Sequence, residues 1–485
     1  MSLVPTAPVT ASDPDYIVVD LDGTLVLTDT FVATLLEVLR RNPWRLFRLA
    51  ASLSKGRAEC KSLAVSFATL DVKSLPYNQP LIEYLREQQK AGRRLILATG
   101  ADVSIARNVA DHLGIFDDVI ASEGGRNVIG DEKVRAIRER IGDTPFTYAG
   151  NSRADLKVWR HSQSALLVGA PRSCARELRR AGIVVQREIA RPRVTARVLL
   201  RCLRWHQWSK NVLVFVPVAA SHQIANLRLE WQAALAFLAL SFCASALYIV
   251  NDLMDLQADR LHPHKRRRPL ASGALDVNAG LALAILLIVA SAVCAWFLPL
   301  QAQLLLLVYA AASLTYSLRL KRLLFVDVVS LALFYVLRVL YGGAATGIKI
   351  SVWTLAFSLF LFTSLATMKR LTELRRVNTR VAGTPEYRGY RDEDATQLSS
   401  LASAAGYVGV LVLALYINSP EVQLLYHHPQ GLWLLCPILI YWISRLTLIA
   451  NRGHLDDDPV AFALKDRATW VAGVVSVIVI FLSTR

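Results

Sequence analysis

The stretch Asn251–Arg260 reads NDLMDLQADR and follows directly on the apolar run 230–250. A run of about 20 apolar residues is long enough to cross a bilayer as a helix. Asn251, Asp255 and Asp259 recur every four residues, which puts them on one helix face, called here the acidic face. Carboxylates beside hydrocarbon are costly and need a partner, so we expect a functional site here.

Mg2+ bound to a diphosphate is the natural partner of the acidic face, because this hard cation prefers oxygen ligands. Asp252 is turned about 100° away from the face and is a weaker candidate. The next residues read HPHKRRRP, in which Lys265, Arg266, Arg267 and Arg268 are candidates for holding phosphate oxygens. The alternative is that this basic run is an ordinary loop on the cytoplasmic face of a membrane.

Apolar segments recur after residue 208 and predict about nine membrane-spanning helices. Their approximate ranges are 209–223, 230–250, 276–297, 301–317, 323–345, 350–368, 398–417, 430–449 and 468–484. With the N-terminus inside, nearly all loop Lys and Arg residues fall on the cytoplasmic side, and the opposite side has only Arg228, Lys349 and Arg485. This asymmetry predicts a multi-pass protein of a bacterial inner membrane, with its N-terminal domain and active sites in the cytoplasm.

Composition agrees with a membrane protein. The chain has 485 residues, of which 54% are hydrophobic and 19% charged, with a net charge of +17. Six scattered cysteines, without a CxxC pair, indicate neither a disulfide framework nor a zinc site. The basic excess lies beside apolar runs and in one Arg-rich segment, which favours a membrane surface over nucleic acid. The N-terminus lacks the regions of a secretory signal, so we expect the first domain to stay in the cytosol.

The first part of the chain alternates short apolar runs with helical stretches, which is typical of a doubly wound α/β domain. The predicted buried strands are 16–19, 94–98, 118–121, 147–149 and 165–168. The predicted domains are a flexible N-terminus at 1–15, an α/β domain at 16–170 with a helical cap at about 30–79, a basic connector at 171–208 and an all-α membrane domain at 209–485. We expect the connector to lie on the membrane surface.

Polar side chains follow several of these strands. Asp20 and Asp22, in VVDLDGTLVLTD, come just after the first strand, where one can act as nucleophile and the other as acid/base on a phosphate held by Mg2+. Thr99 ends another strand and offers a hydroxyl to a phosphate oxygen. Lys133 can neutralise charge on that phosphate, and Asp155, in GNSRAD, can complete a metal site.

These motifs resemble the haloacid dehalogenase (HAD) superfamily of phosphatases, over residues 16–170. The resemblance implies that Asp20 is the phosphorylated nucleophile and Asp22 the general acid/base. It also implies Thr99 and Lys133 as phosphate ligands and Asp155 as a Mg2+ ligand, beside Asp20 and Asp22, which we expect at the metal as well. The alternative is a degenerate HAD fold kept as a scaffold. One position departs from the family pattern, since the last motif often reads GDxxxD and this chain has Asn151 in the second place.

Residues 200–485 resemble the UbiA superfamily of intramembrane transferases, through the acidic face and the predicted helices. The resemblance implies that the acidic face binds Mg2+-diphosphate, with Asp255 and Asp259 as catalytic residues, and that a lipid-accessible cavity opens to the cytosol. The segment YSLRLKRLLFVD places Tyr316 and Lys321 at a further cytoplasmic loop, where the superfamily carries a similar element.

Prenyl-diphosphate users of the superfamily usually carry a second aspartate-rich motif, where this chain reads MKRLTELRRV. Glu373 is the only acid there, and Lys369 and Arg370 precede it. Extra cations suit a substrate with more phosphate than a prenyl diphosphate. With Lys210 and Asn211 in QWSKN, this pattern resembles the branch that transfers phosphoribose to polyprenyl phosphates; alternatively, Lys210 is an interface anchor.

We therefore expect an Mg2+-dependent enzyme that transfers 5-phosphoribose from phosphoribosyl diphosphate to a polyprenyl phosphate. The HAD domain would remove the 5-phosphate of the lipid product, which would serve cell-envelope glycan synthesis. The expected partners are these two substrates and the membrane, with no nucleic acid, and a homo-oligomer is left open. One alternative is a prenyltransferase that joins an isoprenyl diphosphate to an aromatic acceptor. Another is a non-catalytic membrane scaffold or transporter.

Overall fold

The computed structural model describes residues 15–191, 194–223, 225–378, 389–420, 422, 426–455, 459–463 and 465–484. The chain divides into two compact units. The first unit combines Met1–Cys202 with Ile249–Leu283, and the second combines Leu203–Tyr248 with Ala284–Arg485. The division thus differs from the predicted one at residue 209, because the segment after the second apolar run groups with the N-terminal domain. Of the predicted flexible segment 1–15, all but Asp15 lies outside the described residues.

The first unit contains a six-stranded parallel sheet in the order β3-β2-β1-β4-β5-β6. The strands are β1 Tyr16–Val19, β2 Arg94–Asp102, β3 Asp118–Ser122, β4 Phe146–Gly150, β5 Ser164–Val168 and β6 Val184–Ile189. Val19 is in register with Leu97 and with Ala149, so three strands reach the same edge of the sheet. The predicted α/β domain is confirmed.

Apolar clusters cover both faces of this sheet. Ile17 and Val19 belong to one cluster and Val18 to the other, because successive side chains of a strand point to opposite faces. The helices of the domain are α1 Thr30–Arg41, α2 Arg45–Ser52, α3 Arg57–Phe67, α4 Gln79–Lys90, α5 Val103–Leu113, α6 Asp131–Ile141, α7 Leu156–Trp159 and α8 Arg172–Arg180. Helices α1 to α3 share a small core of their own, with Val38 and Ala64 fully buried, inside the segment predicted as a cap.

The sheet continues into the segment predicted as a basic connector. β6 pairs with β5 up to Val168 and Ile189, so α8 and β6 are part of the α/β domain. β6 lies at the edge of the sheet and exposes Arg187 and Glu188, and charged residues are common on such strands. Because these charged residues interrupt the apolar run, this strand has no clear signal in the sequence. The connector that follows contains α9, Ala196–Leu203.

The described residues contain eight helices that are long and apolar enough to cross a membrane. They are α11 Leu227–Met254, α13 Val277–Trp296, α14 Leu300–Leu318, α15 Val326–Thr346, α16 Val352–Asn378, α17 Asp394–Ile417, α18 Leu435–Asn451 (which a 3-10 turn, Pro429–Leu434, extends) and α20 Arg467–Thr484. Short helices α10 Val216–Ala220, α12 Leu256–Leu261 and α19 Pro459–Ala463 lie between them. The predicted all-α domain with several candidate spans is confirmed.

The first predicted span, 209–223, differs from the other segments. The chain there forms a 3-10 helix, Trp205–Phe215, followed by α10, which is too short to cross a bilayer. Pro217 lies in the first turn of α10. Proline lacks the backbone N–H of a helix interior, so it suits the start of a new helix better than the middle of a long one.

Candidate active sites

The first site lies where β1, β2 and β4 end. Asp20 follows β1, and its backbone N–H donates to Ala149 O at 3.0 Å. Gly23 has φ +72°, and a Cβ at this position would collide with the Asn151 side chain. Glycine therefore allows both the turn and the close approach, and it brings the Asn151 amide against the segment that carries Asp20 and Asp22.

A chain of hydrogen bonds holds Asp20. Lys133 Nζ donates to Asp20 Oδ1 at 2.7 Å and to the Tyr148 hydroxyl at 3.1 Å. That hydroxyl donates to Asp155 Oδ1 at 2.9 Å. All four side chains are buried, so their charges interact in a low dielectric. The structure thus brings three predicted residues together, and it adds Tyr148, which lies on β4 two residues before its end.

Two carboxyl groups of this site have raised pKa values. Burial raises the pKa of Asp20, while the charge of Lys133 opposes the rise. Burial raises the pKa of Asp22 to about 7, and the nearby charge of Asp29 adds to the effect. Asp22 Oδ1 also accepts the Thr30 N–H at 2.8 Å, which links it to the start of α1. A carboxyl group that keeps its proton near neutral pH suits a general acid.

The two other predicted residues also have defined partners. Thr99 is fully buried, and its hydroxyl accepts the Ala101 N–H at 3.0 Å, which leaves the hydroxyl proton for a phosphate oxygen. Asp155 Oδ2 accepts three hydrogen bonds, from Asn151 N at 3.0 Å, Ser152 N at 2.9 Å and Ser152 Oγ at 3.0 Å. Asp155 therefore braces the turn that carries Asn151.

The cap contributes a cation that the sequence analysis missed. Lys61 on α3 donates to Gly100 O at 2.5 Å and to Asn127 Oδ1 at 3.2 Å. Gly100 directly follows Thr99, so this ammonium lies beside the predicted phosphate-binding loop. A lysine on a charged helix has no local signal that marks it. Tyr148 offers a weak one, since it is a polar group near the end of a buried strand.

The oxygen donors at this edge of the sheet fit Mg2+. Among the described residues, no three His, Cys, Asp or Glu side chains form a metal-holding group on their own. Mg2+ commonly takes one or two carboxylates and completes its shell with substrate phosphate and water. Asp20 and Asp22, with the adjacent Asn151 amide, offer that kind of donor set. A cation there would also favour the charged form of Asp20 and so offset the effect of burial on the pKa of that carboxyl group.

The acidic face lies at the junction of α11 and α12. The helices are separated at Asp255, yet Asp255 N donates to Asn251 O at 2.9 Å and Asp259 N donates to Asp255 O at 2.8 Å. The four-residue spacing thus continues through the junction. Two carboxylates and an amide at this spacing again suit Mg2+ with substrate phosphates.

Arg268 joins two acids at this junction. Its Nη1 donates to Asp252 Oδ1 at 2.9 Å and to Asp259 Oδ2 at 2.6 Å. Asp252, which the sequence analysis placed off the acidic face, thus shares a cation with Asp259. Burial raises the pKa of Asp259, and Arg268 opposes the rise. Lys265, Arg266 and Arg267 form a 3-10 turn next to it, in which both arginines are exposed.

Three predicted residues meet in the second unit. Arg370 pairs with Glu373 and with Asp327, and its Nη2 donates to the Tyr316 hydroxyl at 3.0 Å. Tyr390 donates to Asp327 at 2.8 Å. Asp327 and Arg370 are fully buried, so the pair links the start of α15 to α16. The predicted cations Lys210, Lys321 and Lys369 are half-buried in the same unit.

Asn211 belongs to a second buried network. Its Nδ2 donates to Ser241 Oγ at 3.0 Å, and its Oδ1 accepts from Arg338 Nε at 2.9 Å. Arg338 Nη2 also donates to the Tyr309 hydroxyl at 3.1 Å. Both polar atoms of the Asn211 side-chain amide therefore have protein partners. An arginine in the middle of an apolar helix is a strong sequence signal, although Arg338 was not among the predicted site residues.

Comparison with known proteins defines the class of both domains. The UbiA prenyltransferase family matches residues 212–465, and the haloacid dehalogenase-like hydrolases match residues 17–160. The chain belongs to the UbiA prenyltransferase family and carries a HAD-like hydrolase domain in front of its membrane domain.

Three relatives are informative. The uncharacterized protein y4nM of Sinorhizobium fredii is 35% identical over 459 residues, which cover 94% of this chain and 89% of that protein. The nodulation protein NoeC of Azorhizobium caulinodans is 34% identical over 273 residues, 55% of this chain and 87% of NoeC. The decaprenyl-phosphate phosphoribosyltransferase of Mycobacterium tuberculosis is 29% identical over 289 residues, 57% of this chain and 92% of that enzyme.

Proposed function

We propose that this protein transfers 5-phosphoribose from phosphoribosyl diphosphate to a polyprenyl phosphate, and that its HAD domain removes the 5-phosphate from the product. The observation that carries the proposal is the acidic face followed, in the same unit, by the basic turn Lys265–Arg267. Similarity to decaprenyl-phosphate phosphoribosyltransferase along 92% of that enzyme supports it.

In the transferase step, the acidic face would hold Mg2+, which stabilises the charge of the leaving diphosphate. The bond between the anomeric carbon and the diphosphate oxygen breaks, and a lipid phosphate oxygen forms the new bond from the opposite face. The anomeric configuration is therefore inverted. The nucleophile is already an anion and needs no general base, so positioning and charge neutralisation carry the catalysis.

The predicted phosphate ligands fall into two groups. The first group would bind phosphate. It consists of the basic turn Lys265–Arg267 and three lysines of the second unit, Lys210, Lys321 and Lys369. For the residues in the buried networks of the second unit, we propose a positioning role, because protein partners engage their polar groups; they are Asn211, Tyr316, Arg370 and Glu373.

In the phosphatase step, Asp20 attacks the phosphorus of the 5-phosphate, and the Asp22 proton passes to the leaving sugar oxygen. Asp22 then takes a proton from the water that hydrolyses the phosphoaspartate. Thr99 and Lys133 hold the phosphoryl oxygens. Asp20 and Asp22, with the Asn151 amide beside them, are the proposed Mg2+ ligands, and the metal would neutralise charge on the phosphate. For Asp155, the third predicted ligand, we propose a positioning role, because both of its carboxylate oxygens accept hydrogen bonds from the protein.

The proposed location is a bacterial inner membrane with both sites on the cytoplasmic side. The eight apolar helices support an integral membrane protein. The orientation rests on the distribution of loop Lys and Arg residues. The dephosphorylated lipid would be a pentose donor for cell-envelope glycan.

The family match favours a second candidate, a prenyltransferase that uses an isoprenyl diphosphate and an aromatic acceptor. Glu373 argues against it. This residue is the only acid of MKRLTELRRV, and it pairs with Arg370. One carboxylate is a poor substitute for the two of a DxxxD motif.

The test uses purified full-length protein with Mg2+, labelled phosphoribosyl diphosphate and a polyprenyl phosphate, followed by mass analysis of the lipid. Wild type should yield labelled lipid without the 5-phosphate. Asp255→Ala should abolish the label, and Asp20→Asn should leave labelled lipid that retains the 5-phosphate. Asp111→Asn, an exposed control on α5, should behave as wild type. Turnover of geranyl diphosphate with an aromatic acid instead would favour the second candidate.

A further inference from the structure

Arg260 is a buried arginine that has no counter-ion within the described part of the chain. It lies on α12, directly after Asp259, and only 7% of it is exposed. None of its three guanidinium nitrogens has a hydrogen-bond partner among the residues that the structure describes. Gln257, three residues earlier on the same helix, also has a buried side-chain nitrogen without an acceptor there. Residues three apart are neighbours on a helix, so unused donors are concentrated on one face of α12.

Other buried arginines of the chain differ in this respect. Arg370 and Arg338 each bind several acceptors. A buried charge without compensation is strongly destabilising, and each unsatisfied donor adds to the cost. Such a group in a folded protein calls for an explanation, and a ligand or ion that supplies the missing acceptors provides one.

We propose that Arg260 and Gln257 form a binding site for a phosphate group. A guanidinium matches two phosphate oxygens with parallel hydrogen bonds, and the amide of Gln257 adds a third donor. The basic turn Lys265–Arg267 packs against α12 and increases the positive potential around the site. Arg260 is distinct from the Mg2+ ligands and from every phosphate ligand proposed above.

The inference rests on the proposed function for the origin of the phosphate. Both substrates bring one, as the soluble sugar donor or as the lipid phosphate. The chemistry that Arg260 recognises is the same in either case.

The experiment measures the affinity of full-length protein in nanodiscs for inorganic diphosphate, phosphoribosyl diphosphate and polyprenyl phosphate. The variants are Arg260→Met, Arg260→Lys and Gln257→Leu. Arg228→Met, at an exposed arginine near the start of α11, is the matched control. Arg260→Met should weaken binding of one substrate about 10- to 100-fold. Gln257→Leu should weaken it less, and Arg228→Met should leave it unchanged.

The substrate that is affected identifies the source. Weaker binding of both diphosphates indicates the sugar donor, and weaker binding of the polyprenyl phosphate alone indicates the lipid. Thermal unfolding gives a second readout, because Arg260→Met removes an uncompensated charge and should raise the midpoint in the absence of ligand.

The inference would be overturned if Arg260→Met bound all three probes with affinities within twofold of wild type. If that variant does not fold, the same result with Gln257→Leu would overturn it. Transfer of phosphoribose by such a variant would leave the proposed function intact. Conversely, the wild type could fail to transfer phosphoribose while Arg260→Met still weakens the binding of diphosphate. That pair of results would refute the proposed function and leave the phosphate site in place.

Discussion

The folded structure disfavours the charged form of the Asp22 carboxyl group. Burial and the charge of Asp29 raise its pKa to about 7, above the value of 3.8 for an unperturbed aspartate. Between these two pH values the folded state binds more protons than the unfolded state. Stability therefore falls as pH rises through this window, and the loss is complete above the folded-state pKa.

Asp22→Asn should remove this dependence. In EDTA, the unfolding temperature of wild type should decrease as the pH is raised from 5 to 8. The variant should show a much smaller decrease. Because Asp22 is half-buried, we expect a difference of roughly 2 kcal/mol at pH 8. Mg2+ should restore stability to wild type more than to the variant. Equal pH profiles for both proteins would contradict the assignment, and Asp111→Asn serves as the exposed control.

At the scale of elements, α15 is packed unusually closely. A Cβ on Gly342 would collide with the backbone of Val214, in the 3-10 helix Trp205–Phe215. Asp327 at the other end of α15 pairs with Arg370 on α16. The helix is therefore constrained at both ends by contacts that tolerate little change.

Gly342→Ala should destabilise the membrane domain by about 1–3 kcal/mol, because backbone on both sides must move. The matched control is Gly473→Ala on α20, where nothing lies within 4 Å of the new Cβ. Alanine is the better helix former, so the control should be neutral or slightly stabilising. Denaturant unfolding in detergent measures both, and equal effects would argue against the close contact.

The pair Asp327–Arg370 gives a second test at this scale. Arg370→Met leaves a buried carboxylate without its partner and should cost about 3–5 kcal/mol. The double variant Asp327→Leu, Arg370→Met removes both charges and should be more stable than Arg370→Met alone. The same unfolding assay completes the cycle. Strictly additive losses would show that the two side chains do not interact.

At the scale of the whole molecule, the loop after α12 contacts the HAD domain within the first unit. Gly273 has φ +73°, and a Cβ there would approach the Leu27 Cβ to 2.8 Å and the Pro76 Cβ to 3.2 Å. Arg191 Nη2 donates to Leu27 O at 3.2 Å. The HAD-like domain therefore has a defined contact with the loop that follows the acidic face.

Gly273→Val should disturb this contact without touching Asp20, Asp22 or Lys133. Hydrolysis of p-nitrophenyl phosphate should stay within about twofold, while dephosphorylation of the lipid product should slow about tenfold through misplacement. Gly92→Val is the matched control, since Gly92 has φ +91° but nothing within 4 Å. Equal losses on both substrates would point to general unfolding of the domain.

Much of this architecture could be predicted because its signals are local. The apolar runs predicted the spans, and alternating runs and helices predicted the sheet. Residues at strand ends could be grouped because parallel strands end at one edge. Edge strand β6, the short α10, the roles of Tyr148 and Arg338, and the pairing of Arg268 with two acids instead of a phosphate were not predicted. Each depends on which distant element packs alongside.

Hydropathy and motif spacing are properties of neighbouring residues, so they were enough to predict the α/β domain, the membrane domain that follows it and the kind of chemistry expected in each. Only the tertiary structure decided the partners. Lys133 and Asp20 are 113 residues apart, and Arg338 and Asn211 are 127 apart. Burial then decides what each charge can do, because the same side chain has a different pKa and a different desolvation cost once water is excluded.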